Sequence, residues 1–209
     1  AAGYLAYAQS SDRFHTYDEM RGVVTVSQEL VTLSDIVHSL QVERGLTAGY
    51  LGSKGGRNGT ELREARILSD AATARFASAA DSLDAVVDID LSGVRQEFAA
   101  RLAAISNLRR SIDSLAASGG DAFAAYTHAI GDVIALAGDL SNTTSDATIA
   151  QRMSAYVHLM QAKETAGQER AVGNGFIVSG RVDPDRFETF AGLSGMQDAL
   201  IAAAFSVEG

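Results

Sequence analysis

The chain has no cysteine, no tryptophan and a single proline among 209 residues. Without cysteine no disulfide can form, and the redox compartment stays open, because a domain of this size buries enough surface to fold without covalent staples. The scarcity of proline, beside abundant Ala, Leu, Ser and Val, argues for helices and against a sheet sandwich or a disulfide framework. No stretch approaches the ~18 consecutive apolar residues of a membrane span. The opening AAGYLAYAQ lacks the charged start of a signal peptide. Its first residue is an alanine and helix-compatible residues run to both ends, which suggests a fragment of a longer protein. Basic residues are also in deficit, 17 against 26 acidic, for a net charge of −9. The average field therefore repels phosphate backbones and anionic membranes, and no nucleic-acid partner is expected. A content of 46% hydrophobic and 21% charged residues excludes a disordered tail.

Turn-rich clusters at 53–59, 87–90, 118–120, 141–146 and 180–184 divide the chain into about six helical stretches. Thr16 with Glu19 forms a capping box that marks the start of the first long helix, and Asp183 followed by Pro184 marks the start of the last. Stretches near 17–52 and 147–180 are each roughly 50 Å long at 1.5 Å per residue, which predicts an elongated, all-α, up-down helical bundle.

A seven-residue repeat places Val23, Leu30, Val37, Arg44 and Leu51 in one row of the first rod, beside Val26, Leu33, Leu40 and Thr47. Arg44 is the misfit in this apolar seam. A guanidinium stays charged at neutral pH and must meet an acceptor, water or an anion. The segment GQERAVGNGFIVS aligns without gaps on QVERGLTAGYLGS, matching Glu169 to Glu43, Arg170 to Arg44, Gly175 to Gly49 and Phe176 to Tyr50. The two long helices are thereby related by a pseudo-twofold repeat. In the second rod the row through Arg170 holds Ile149, Tyr156, Lys163 and Ile177.

Two guanidiniums facing inward from packed helices can clamp a small planar oxyanion, nitrate, nitrite or a carboxylate, through flat forks of donors. Gly45 and Gly49, with Ala171 and Gly175, allow close helix approach and leave room for a small ligand. Tyr50, Tyr156 and Phe176 lie at or near the arginine rows as core filling, with Tyr50 and Phe176 walling such a pocket as their other use. Lys163 is a second cation on its row, with snorkelling to water as its other use. The competing reading makes Arg44 and Arg170 structural, each paired with a buried carboxylate.

At these residues the sequence resembles the nitrate- and nitrite-sensing NIT domains of bacterial receptors. LQVERGLTAGYLGSKG at 40–55 is similar to that family's first signature and QERAVGNGF to its second, with Thr47 where serine is common. The resemblance implies a helical sensory domain of a chemotaxis receptor, histidine kinase or cyclase, one branch controlling transcription antitermination from the cytoplasm. It implies nitrate-contacting arginines at Arg44 and Arg170.

The expectation is therefore one sensory domain over 1–209, with halves 1–118 and 119–209. It binds nitrate or nitrite between helices and passes a helix displacement to an output module. Candidate ligand residues are Arg44, Arg170, Thr47, Tyr50, Lys163 and Gly49. The resemblance places the chain in the periplasmic part of an inner-membrane receptor, with the cytoplasm as the alternative, and as a homodimer. A helical sensor for a carboxylate or amino acid, or a dimerisation scaffold without ligand, are the other readings. Neither a catalytic group, a cofactor nor a metal is expected. DIDLSG at 88–93 imitates a calcium loop through Asp88, Asp90, Ser92 and Gly93, but its twelfth position is Ala99 where a bidentate Glu is required. The four histidines show no zinc spacing, and phosphate loops, nucleophile elbows and kinase signatures are missing.

Overall fold

The computed structural model describes residues 2–84 and 92–206. They form six helices, α1 Ala2–Gly52, α2 Gly59–Asp84, α3 Ser92–Asp113, α4 Gly119–Ser141, α5 Ala147–Ser179 and α6 Pro184–Phe205. The turn clusters separate these helices as expected, apart from the one at 87–90, which with most of the calcium-loop imitation lies outside the described residues.

Local chemistry explains each boundary. Asn58 and Gly55 take positive φ in the turn after α1. Ser118 caps α4 by accepting from the Asp121 N–H, and Asp146 caps α5 by accepting from Thr148 and Ile149. Gly180 closes α5 in the left-handed region at φ 63°, and Asp183 caps α6 ahead of Pro184. The capping box at Thr16 does not start a helix, because α1 already runs from Ala2 through it. Nothing in AGYLAYAQSSDRFH breaks a helix, so the box is passed over.

The heptad rows of the first rod form the core. Leu30, Leu33, Ile36, Val37 and Leu40 are buried, with Arg44 and Thr47 continuing the same face. This face packs against α2, α4 and α5, with Leu62, Phe76, Tyr126, Ile130 and Leu140 opposite. Each such fully buried aliphatic side chain stabilises the fold by roughly 1.5–3 kcal/mol. The second rod departs from its expected register. Its buried stripe is Met153, Val157, Met160 and Glu164, whereas Lys163, Arg170 and Ile177 are exposed. The helix α6 packs along α5.

Candidate functional site

Glu43 and Arg44 follow each other on α1 and enter different environments. The Glu43 carboxylate is fully buried. It accepts from Arg109 Nε at 2.7 Å and Nη2 at 2.8 Å, from Tyr126 Oη at 2.6 Å and from Ser69 Oγ at 2.8 Å. Arg66 Nε lies 3.6 Å away. One side chain thus ties α1 to α2, α3 and α4. Burial opposes the charge on Arg109, but its bonds to Glu43 and to Asp70 outweigh that and hold the guanidinium above its ordinary pKa. Burial, and then the Glu43 charge, push the Tyr126 phenol up, so it stays a donor.

Arg44 is also buried, 4% exposed. Its Nη1 donates to Glu164 Oε1 at 2.6 Å and to Thr127 Oγ1 at 2.7 Å, and its Nη2 donates to Glu164 Oε2 at 3.1 Å. The Phe123 ring centroid lies 4.8 Å from its Cζ. A Cβ at Gly167 would stand 3.1 Å from Nη2, so that glycine on α5 makes room for the guanidinium. Of the two readings of Arg44, the pairing with a buried carboxylate is the geometry observed, its partner being Glu164 on the buried stripe of α5, whereas Arg170 has no such partner among the described residues.

Arg44 nevertheless lines a half-open cleft of about 1000 Å³ between α1, α4, α5 and α6. Its walls include Gln41, Gly45, Lys54, Gly119, Gly120, Phe123, Arg170, Asn174 and Arg186. Among the described residues four cations line it and no carboxylate does, the Glu164 carboxylate lying behind Arg44, in a chain of net charge −9. The first residues of α4 add the positive end of a helix dipole. Among the described residues no hydrogen bond or ion pair engages the side chains of Lys54, Arg170 or Arg186. A Cβ at Gly175 would meet Arg186 Nη2 at 2.8 Å, so this glycine lets the arginine lie against α5.

Of the six candidate residues, Arg44 and Arg170 meet in the cleft. Arg170 reaches it from the exposed side of α5 and not from the interior. The other four lie elsewhere. Thr47 is buried near Tyr126. Tyr50 lies over the turn beside Gly55 and Gly59, against a small pocket with Arg63 and Arg66. Gly49 serves that same turn, since a Cβ there would come within 2.3 Å of Asn58 Nδ2. Lys163 points outward, its Nζ 3.2 Å from His38 Nδ1. The sequence reading missed Lys54, Arg186, Gln41, Phe123 and Glu164. For Glu164 a signal existed, an acid at i+11 from Met153 on an otherwise apolar stripe.

A family model described as nitrate and nitrite sensing, NIT, matches residues 35–208. The chain belongs to the NIT family. A nitrate regulatory protein of Klebsiella oxytoca is 31% identical over 144 residues, 68% of this chain and 36% of the relative. The structure of the NasR transcription antiterminator superposes with a TM-score of 0.81 at 22% identity, covering 98% of this chain and 56% of that one. The chain thus spans about a third and about half of these relatives' lengths. The NIT fold expected from the signatures, an all-α bundle of six helices, is the fold observed.

The expected setting is corrected. A membrane receptor of the chemotaxis or histidine-kinase kind, with this NIT domain in the periplasm, does not match relatives that are a nitrate regulatory protein and a transcription antiterminator. No described helix is long and apolar enough to cross a membrane. The exclusion of nucleic acid is withdrawn with it, since an antiterminator stands among the relatives. It rested on net charge, which averages over a surface as uneven as this one.

Proposed function

We propose that this NIT chain senses nitrate or nitrite by binding the anion in the cleft between α1 and α5, with Arg44 at its floor and Arg170 at its rim. The observation that carries this is the gathering of Lys54, Arg170 and Arg186, none paired with an acid among the described residues, around the Glu164-paired Arg44 in a net-acidic molecule. Local potential decides anion binding, because distant charges are screened beyond roughly 8–10 Å. Lys54 and Arg186 add to that potential. Bound anion draws α1, α4 and α5 into one spacing, and the displacement of α1 is the signal. The names of the relatives, a nitrate regulatory protein and a transcription antiterminator, support control of gene expression as the output. We read 1–209 as a single sensory unit, with α1–α3 and α4–α6 as its two halves.

Thermal melting with millimolar nitrate, nitrite, sulfate or acetate tests this. Anion at a hundred times its dissociation constant adds about 2.7 kcal/mol of stability. A shift with nitrate or nitrite, lost in Arg170→Ala, is the expected result, and no shift with either refutes the reading. The cleft is far larger than nitrate needs, which favours a second reading, a sensor for a larger organic acid. Stabilisation by carboxylates and not by nitrate selects it.

A further inference from the structure

The Glu164 carboxylate sits where a planar oxyanion would. Its Oε1 accepts from Arg44 Nη1 at 2.6 Å and Gln168 Nε2 at 2.9 Å, and its Oε2 from Arg44 Nη2 at 3.1 Å and Gln41 Nε2 at 2.8 Å. Four N–H donors from α1 and α5 converge on two oxygens held in one plane. Nitrate and nitrite present the same paired oxygen edge as a carboxylate, and a guanidinium fork suits either. The donors do not depend on Glu164 alone for their placement. Thr127 and the Phe123 ring hold the Arg44 guanidinium, and Gln41 stands on α1 with it. Withdrawing the carboxylate therefore leaves a buried cation and a set of aimed donors, an arrangement that is costly until another anion enters. Gln41 and Arg44 both line the cleft, so the way in is open.

We propose that Glu164 is an internal competitor of the ligand. It holds Arg44 in the empty protein, and nitrate or nitrite takes its place on the Arg44 fork. This rests on the reading of the cleft as the anion site. The exchange replaces a covalently tethered α5 anion by a free one, so binding turns the Arg44–Glu164 tie between α1 and α5 into one bridged by the ligand. It also sets the threshold, since apparent affinity falls by the fraction of molecules in which Glu164 has let go.

Calorimetric titration of nitrate and nitrite into the wild-type chain, Glu164→Gln, Glu164→Ala and the double variant Glu164→Ala/Gln168→Ala tests the exchange. Glu164→Gln and Glu164→Ala are expected to bind at least about tenfold more tightly, the factor for a released form making up about a tenth of the empty protein. Gln168 donates to Glu164 and does not line the cleft. Its loss in the Glu164→Ala background is expected to take back several-fold, because its donor then serves the anion. Should Glu164→Ala fail to fold, the near-isosteric Glu164→Gln, with and without Gln168→Ala, carries both comparisons. Wild-type binding with no gain in the variants, or a gain indifferent to Gln168, overturns the exchange and leaves the cleft reading standing. Failure of the wild-type chain and of every variant to bind overturns both, and binding by the variants alone supports the exchange.

Discussion

Glu43 and Arg44 stand about 100° apart around α1, and that angle separates a fixed group from an exchangeable one. Glu43 is surrounded by donors on three other helices, whereas Arg44 reaches one acid and one hydroxyl and borders open space. Removing either partner of the Arg44–Glu164 pair leaves a buried charge alone. Arg44→Ala is expected to destabilise the empty protein by about 3–5 kcal/mol in denaturant unfolding. Arg170→Ala is expected to leave the unfolding midpoint unchanged in the absence of anion, because the side chain is exposed and engages no described group. The sequence exposed Arg44 as a misfit among Val and Leu. It marked Glu164 as an acid on an apolar stripe but not as the partner of Arg44, 120 residues away, since a stripe on one helix does not say which residue of another it will face. Glu29 is a third buried acid, and among the described residues its Oε2 has no hydrogen-bond partner. Burial raises its pKa, so the folded state resists its ionisation. The unfolded chain ionises it near its ordinary value, so stability declines as pH climbs from there through the raised value and is level above. Glu29→Gln is expected to raise the melting temperature at neutral pH, and the gain is expected to vanish below about pH 4.

Among the helices, α1 was legible and α5 only partly so. In α1 the apolar rows, read at a seven-residue period, are the rows that became buried, because no other face offers an uninterrupted stripe. In α5 the motif match to α1 suggested the same face, yet Tyr156, Lys163, Arg170 and Ile177 turn outward or to an edge and Met153, Val157 and Met160 turn in. Matching residues carried a likeness of composition, while packing against α4 and α6 chose the register. Ends of helices were more readable, being decided by two or three neighbouring residues. Asp183→Ala removes the cap on the Arg186 N–H and is expected to weaken α6 by about 1 kcal/mol. Faster amide exchange in the first turn of α6, with the α1 core unaffected, is the expected pattern in hydrogen exchange.

For the molecule as a whole, one core formed around α1 carries stability, and the cleft lies at its margin. Leu33 is wholly buried, and Leu33→Ala is expected to cost about 2–5 kcal/mol in urea unfolding while nitrate affinity of the folded fraction stays the same. The fold class followed from what the composition omits and from turn spacing, both properties of the whole chain. The setting did not, since the residues of a cleft do not say what reads its occupancy. One geometric fact bears on how it could be read. The Glu43 anchor lies near the far end of a helix of 51 residues. From that fulcrum α1 reaches back about 60 Å to Ala2, with the stretch from Val26 to Leu40 seated in the core. On the proposed exchange, a tilt of α1 by a few degrees together with the core around it moves its first turn by several ångströms, which gives the swap of one small ion the leverage of a stroke.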